Sequence, residues 1–100
     1  MTTIKYDIDD KGFRIEASGH SGYAEIGKDI VCAGISTLLQ TLIIHTDCFA
    51  HVKEGYLYCM GNEPEYAQFV LTGLRVLEEN YKDNIQVVQG CPMNYDFNLE

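Results

Sequence analysis

Alternating apolar and polar residues at the beginning of the chain predict a pair of strands. Every second side chain is apolar in two short runs, which contain Ile4, Tyr6 and Ile8 and then Phe13, Ile15 and Ala17. This period of two is that of a strand with one buried face. Turn-forming residues at positions 9–12 separate the runs, so the pattern predicts a hairpin.

The apolar period lengthens to that of a helix over residues 29–44. Apolar side chains recur there every three or four positions, at Val31, Ile35, Leu38, Leu39, Leu42 and Ile43. No charged residue occurs between positions 30 and 44, which predicts a helix that is buried on most of its circumference. Gly34 weakens a helix relative to alanine, and we interpret it as a place where another stretch of backbone approaches closely.

A second hairpin is predicted from two strand-like runs and the turn between them, at residues 48–52, 56–60 and 53–55. If the turn is centred on residues 54 and 55, Cys59 lies opposite Ala50 and not opposite Cys48. A disulfide between these two cysteines is therefore not expected. We interpret both as small apolar residues without chemical function.

A second helix is predicted after this hairpin. Asn62 or Glu63 would cap it, with Pro64 in the first turn. Its core stripe would consist of Ala67, Val70, Leu71, Leu74, Leu77 and Tyr81. Phe69 and Val76 lie off this stripe, and they belong either to a wide core face or to a dimer contact.

The element order, with a last strand predicted at residues 85–88, is ββαββαβ. This order is typical of an α+β fold in which a mainly antiparallel sheet has two helices packed on one face. A chain of 100 residues is long enough for one hydrophobic core, and no repeat or linker interrupts it. We therefore predict a single domain over residues 1–100.

Charge and apolar content exclude several classes of function. The net charge is −8 and the pI is near 4.6, which argues against nucleic acid as a partner because its phosphates require a basic face. No apolar run approaches the roughly 18 residues of a membrane span, and the charged N-terminus does not resemble a signal peptide. We expect a cytoplasmic protein with reduced cysteines that does not bind a membrane.

The segment at residues 19–36 combines a glycine-rich loop, a helix start and a cysteine. Asp29 is well placed to cap the helix. This puts Cys32 in the first turn, where the partial positive charge of the helix favours the thiolate. His20 lies on the preceding loop, whose glycines let the backbone fold back over the helix start. A thiolate with a nearby imidazole is the minimum set for nucleophilic catalysis.

Two further residues of this segment have alternative interpretations. Asp29 either only caps the helix or also orients His20 as a third catalytic member. Ser36 lies one turn after Cys32 on the same helix face. It either forms a hydrogen bond within the site or bonds back to its own helix.

Neither a metal nor a cofactor is expected. His45, Cys48 and His51 have the spacing of metal ligands, but they bridge a helix end and a strand and no second ligand pair accompanies them. The glycines match neither the dinucleotide-binding fingerprint nor the phosphate-binding loop with its Lys-Ser/Thr. The chemistry of the chain must therefore come from its own side chains.

The same segment resembles a known family. Its motif consists of Gly19-His20, Gly22-Tyr23-Ala24-Glu25, Gly27-Lys28-Asp29-Ile30-Val31-Cys32-Ala33 and Ser36. This combination closely resembles that of the ribosomal-processing cysteine proteases, the Prp family, and the chain length and element order also fit. Ser21 and Gly34 stand where alanine or another small apolar residue is expected, and neither is expected to touch the chemistry.

The resemblance implies a concrete activity. Family members remove a short N-terminal extension from a bacterial large-subunit ribosomal protein, number twenty-seven, which makes it competent for assembly. Cys32 would be the nucleophile and His20 the general base and acid, with Asp29 and Ser36 as supporting site residues. Loop movement would be permitted by three glycines, Gly19, Gly22 and Gly27. The resemblance also implies a homodimer with a mobile loop over the site.

The residues themselves agree with this mechanism. The Cys32 thiolate would attack the scissile carbonyl, and His20 would protonate the leaving amine. Backbone amides at the helix start, including that of Cys32, would stabilise the oxyanion. Two alternatives stay open. One is a non-catalytic dimeric binding module for a ribosomal or other basic protein segment, and the other is a redox-sensing thiol protein, which would need a resolving cysteine near Cys32.

Overall fold

The computed structural model describes residues 1–25 and 28–91. Its elements follow the predicted order and are β1 (Thr2–Ile8), β2 (Phe13–Ser18), α1 (Ile30–Thr46), β3 (Phe49–Lys53), β4 (Tyr56–Gly61), α2 (Pro64–Asn80) and β5 (Ile85–Gln89). Glu63 occupies the N-cap position of α2 with Pro64 in the first turn, as predicted, but its side chain forms no capping hydrogen bond. The predicted elements are thus confirmed, with ends that move by one or two residues.

The strands form a five-stranded sheet in the order β3-β4-β2-β1-β5 within the described residues. Three of the neighbouring pairs are antiparallel, and β1 pairs with β5 in parallel. Cys59 lies opposite Ala50, which confirms the register predicted from the turn. The mainly antiparallel α+β architecture is therefore as expected.

The hydrophobic core lies between the sheet and the two helices, which pack on one face of it. Its buried residues include Ile4, Ile15, Leu39, Leu42, Leu57, Leu71, Leu74, Ile85 and Val87. A side chain at Gly34 would place its Cβ 3.2 Å from Leu77 Cδ1, and one at Gly73 would lie 3.0 Å from Leu38 Cδ2. Gly34 therefore permits close contact with a side chain of α2, and our interpretation that it accommodates another backbone is wrong.

Helix α1 is less buried than its uncharged sequence predicts. Its buried residues are Val31, Ile35, Leu39 and Leu42, which form a single stripe. Ile30 and Ile44 are 54% and 78% exposed, and on α2 Phe69 and Val76 are 81% and 54% exposed. Since one stripe is enough to cover the sheet, the remaining apolar side chains face outwards, and Phe69 and Val76 do not belong to a wide core face.

Three segments that are distant in sequence meet at one end of the sheet. The Gly19 N–H, just after β2, donates to the Gly55 carbonyl in the β3–β4 turn at 2.9 Å. Residues of that turn, of the loop after β2 and of the first turns of α1 line the same cavities. The fold thus brings the loop with His20 next to the helix start with Cys32.

Candidate active site

Helix α1 begins with the predicted aspartate cap. Asp29 Oδ1 accepts the Cys32 N–H at 2.9 Å, and Asp29 has an extended backbone, with φ −84° and ψ 97°. Because α1 begins at Ile30, Cys32 is its third residue and lies in the first turn, as predicted. The same bond occupies the Cys32 amide, so this amide is not the free oxyanion donor that we expected from the sequence.

The second carboxylate oxygen of Asp29 holds the preceding loop. Asp29 Oδ2 accepts a hydrogen bond from the Ser21 hydroxyl. It also lies 3.2 Å from the Tyr23 amide and 3.5 Å from the Ala24 amide. In the part of the chain that the structure describes, no hydrogen bond joins Asp29 to His20. The carboxylate therefore ties loop to helix and does not orient the imidazole in this conformation.

These contacts keep Asp29 ionised over a wide pH range. Burial raises the pKa of its carboxyl group, but hydrogen bonds from the Ser21 hydroxyl and from the Cys32 and Ala24 amides outweigh it. The resulting pKa is lowered from 3.8 to about 2. The folded state therefore stabilises the ionised form of Asp29 more than the unfolded chain does.

Asp29→Asn is expected to reduce stability at neutral pH and to matter little near pH 2. A carboxyl group whose folded pKa is lowered from 3.8 to about 2 stabilises the fold above the higher value. This stability is lost as the pH falls through the lower one. The free energy of unfolding should fall by about 1 kcal/mol at pH 7, because asparagine can still accept the Cys32 amide but lacks the charge and the second acceptor oxygen that holds Ser21 and Tyr23.

Urea unfolding of wild type and Asp29→Asn at a series of pH values measures this difference. Asp10→Asn is the matched control, because Asp10 is an exposed turn residue and its replacement removes the same charge away from the cap. A difference in stability between wild type and Asp29→Asn that stays constant from pH 7 to pH 2 would contradict the assignment.

Ser21 is a site residue that the sequence did not identify. Its side chain is buried, with 1% exposure, and its N–H donates to Cys32 Sγ at 3.3 Å. Its carbonyl accepts the Asn84 side-chain amide at 3.0 Å. Ser21 thus contacts both Cys32 and Asp29, which we did not expect from the sequence. The one signal in the sequence was the hydroxyl itself, which stands next to His20 where a small apolar residue was expected.

His20 lies beside the β3–β4 turn. A Cβ built on Gly55 would be 3.2 Å from its Nε2 atom, and the imidazole is otherwise exposed. Among the described residues no hydrogen bond joins His20 to Cys32. Both residues nevertheless line the same two cavities, of about 500 Å³ and about 200 Å³. The structure thus brings the two groups to one site without bringing them into contact.

The larger cavity is open and bordered by both charged and apolar groups. Asp29 and Ser36 line it together with His20 and Cys32, and Glu54 reaches it from the β3–β4 turn. Ser36 is exposed and forms no side-chain hydrogen bond within the described residues, so neither of its two expected bonds is present. Glu54 was not identified from the sequence, because only the folded hairpin brings it to the loop.

Two glycines of the loop, Gly19 and Gly22, differ in the space that surrounds them. Gly19 has φ +90°, and a Cβ there would lie 2.6 Å from the Met1 carbonyl oxygen. Gly22 has φ +72°, and no neighbouring atom of the described residues comes within 4 Å of the position that a Cβ would take. Both conformations favour glycine. Gly27, the third glycine expected to permit movement, lies outside the described residues.

The other cysteines lie away from these cavities. Cys48, beyond the far end of α1, accepts a hydrogen bond from the Cys59 thiol, which lowers the pKa of Cys48 to about 6. The same bond and burial raise the pKa of Cys59, and burial raises the pKa of Cys91 to about 11. Cys48 directly precedes β3, which pairs with the strand that contains Cys59.

Metal-binding clusters and membrane-spanning helices are both missing from the described residues. Over residues 1–25 and 28–91, no three histidine, cysteine or acidic side chains are grouped so that they could hold a metal ion. None of the described helices is long and apolar enough to cross a membrane.

Comparison with known proteins gives consistent similarities. A family model described as cysteine protease Prp matches residues 1–86. The ribosomal processing cysteine protease Prp of Bacillus subtilis (strain 168) is 32% identical over 105 residues, which cover 87% of this chain and 94% of that protein.

Solved structures share the fold. The ribosomal processing protease Prp from S. aureus with a covalently linked product peptide has a TM-score of 0.81 at 24% identity, and its complex with a substrate peptide has 0.76 at 23%. Each comparison covers 90% of this chain and 100% of the other. SMU.848 from Streptococcus mutans has a TM-score of 0.66 at 22% identity, over 90% and 96% of the two chains.

Proposed function

Because the chain belongs to the Prp family of cysteine proteases, we propose that it removes the N-terminal extension of a bacterial large-subunit ribosomal protein, number twenty-seven, and so supports ribosome assembly. The observation that carries this proposal is that Cys32 and His20 line one open cavity in a chain of this family. The B. subtilis relative is named for ribosomal processing, and family membership favours a protease over a non-catalytic binding module.

The proposed reaction uses a Cys-His dyad. The Cys32 thiolate attacks the scissile carbonyl and forms a C–S bond, and the C–N bond breaks as protonated His20 gives its proton to the leaving amine. Water, deprotonated by His20, then hydrolyses the thioester and restores the thiol. The oxyanion needs a donor other than the Cys32 amide, since that amide is bonded to Asp29.

Asp29 and Ser36 support this site in different ways. Asp29 fixes the helix start and the loop through both carboxylate oxygens. Ser36 borders the cavity one turn after Cys32, where its hydroxyl is available to the bound peptide. Gly19 and Gly22, with Gly27 beyond the described part of the loop, permit the movement that lets His20 approach Cys32 when a peptide is bound.

The substrate segment is expected to be basic. The net charge of the enzyme is −8, and Asp29 and Glu54 line the larger cavity together with one lysine, Lys28. An acidic surface raises the local concentration of a positively charged partner. The enzyme would act as one domain over residues 1–100 in the cytoplasm, without cofactor or metal.

A homodimer would cover apolar surface that the helices expose. Ile30, Phe69 and Val76 are exposed, and a shallow, mostly apolar groove of about 550 Å³ lies between α1 and α2. Contiguous exposed apolar surface is typical of protein–protein contacts. Light scattering on the purified protein tests the assembly, since a particle of 11.3 kDa would be a monomer.

Incubation with the precursor of the ribosomal protein tests the proposed activity. We expect release of a single N-terminal fragment, read by intact-mass spectrometry of both products. The matched control is the same ribosomal protein produced without its extension, which should keep its mass. A precursor that stays intact, or one that is cut at many positions, would contradict the proposal.

A further inference from the structure

Hydrogen bonds connect Ser21 to three residues outside its own loop. Its hydroxyl donates to Asp29, its carbonyl accepts from Asn84 Nδ2 at 3.0 Å, and its N–H donates to Cys32 Sγ at 3.3 Å. A backbone N–H that is held in place at sulfur favours the thiolate over the thiol, because hydrogen bonds to the charged form stabilise it. The loop residue next to His20 thus acts directly on the nucleophile.

We propose that Asn84 and Ser21 are positioning residues for the nucleophile. The Asn84 side chain donates to the Ser21 carbonyl. Ser21, fixed in this way, keeps its N–H directed at Cys32 Sγ. This inference rests on the proposed function of Cys32. It assigns to Asn84, which lies 63 positions from Ser21, a part in the reaction without contact with the reacting atoms.

Asn84 is itself fixed by its backbone. Its carbonyl accepts the Thr2 N–H at 3.0 Å, and its N–H donates to the Tyr81 carbonyl at 2.9 Å. These bonds connect it to the first strand and to the end of α2. The backbone of Asn84 is therefore held in place, and the hydrogen bond from its side chain to Ser21 restrains the loop.

A ring contact next to this bond supports the same attachment. The Tyr23 and Tyr81 rings meet edge to face, with centroids 5.4 Å apart. Tyr23 also donates its amide to the Ser21 hydroxyl oxygen at 3.2 Å. The N–H of Ser21 belongs to the same peptide unit as the His20 carbonyl, so the clamp on Ser21 also restrains the backbone of the proposed base.

Alkylation of Cys32 by iodoacetamide as a function of pH tests the inference. All proteins carry Cys48→Ala, because the pKa of Cys48 is about 6 and no lysine or arginine separates Cys32 from Cys48 for tryptic mapping. Asn84→Ala removes the donor to Ser21, and Asn84→Asp replaces that donor with an acceptor of the same shape. Asn80→Ala is the matched control, since Asn80 Nδ2 donates to the Val76 carbonyl at 2.8 Å on the exposed side of α2.

We expect Asn84→Ala to move the midpoint of the rate–pH profile upwards by about half to one pH unit, as for one lost hydrogen bond to a charged group. Asn84→Asp should move it further, and Asn80→Ala should leave it unchanged. Thermal unfolding of each variant identifies any that fails to fold. Unchanged profiles in both folded Asn84 variants, or an equal shift in Asn80→Ala, would overturn the inference.

The readout follows the thiol and not peptide cleavage. If the ribosomal precursor is left intact but the Asn84 variants shift the profile, the proposed substrate is wrong and the positioning role stands. If the precursor is cleaved and the profile of the Asn84 variants matches that of the reference protein, the positioning role is wrong and the proposed function stands.

Discussion

Cys32→Ala is expected to reduce cleavage of the ribosomal precursor by roughly three orders of magnitude or more, because loss of a covalent nucleophile removes the reaction path itself. The residue lies in the first turn of α1 and lines both cavities. Its removal deletes the sulfur that accepts the Ser21 amide, but it leaves the bond between its own amide and Asp29. The fold should therefore survive.

Single-turnover cleavage followed by intact mass measures this loss. Cys48→Ala is the matched control. Hydrogen bonding lowers the pKa of Cys48 to about 6, yet this cysteine lies beyond the other end of α1. If an ionisable thiol at any position were sufficient, both substitutions would reduce the rate. Normal activity in Cys48→Ala with none in Cys32→Ala would identify Cys32 as the nucleophile, and the reverse result would refute this assignment.

The features of the site that depend on neighbours in sequence could be predicted. Asp29 caps α1 because its side chain reaches amides only a few positions ahead, and this fixes Cys32 in the first turn. The register that sets Cys59 opposite Ala50 follows in the same way from a short turn. Such features are determined by a few consecutive residues, so the sequence pattern was sufficient.

Contacts between distant segments could not be predicted in this way. The bond from Asn84 to Ser21 spans 63 positions, and neither residue has a periodic pattern that marks it. Glu54 reaches the cavity only because β4 pairs with β2. The burial of α1 could not be predicted for a similar reason. An uncharged helix sequence does not show which of its sides contacts the rest of the fold.

His20→Gln is expected to reduce precursor cleavage by roughly two to four orders of magnitude, the usual range for a lost general acid or base. An amide leaving group is a poor one unless it receives a proton, and glutamine cannot supply it. His20 forms no hydrogen bond with Cys32 in the described part of the chain, although both line the same cavities. Its main effect is therefore expected after the peptide binds.

The leaving group provides a sharper test of this role than the rate alone. A nitrophenyl ester of the peptide that ends at the mapped cleavage site needs no proton to leave, so His20→Gln should affect its acylation far less than cleavage of the amide. His45→Gln is the control, because His45 lies near the other end of α1 against the Tyr66 ring. Equal losses on ester and amide would contradict the role of His20 as the acid that protonates the leaving amine, since a group that positions the peptide or deprotonates the thiol does not distinguish leaving groups.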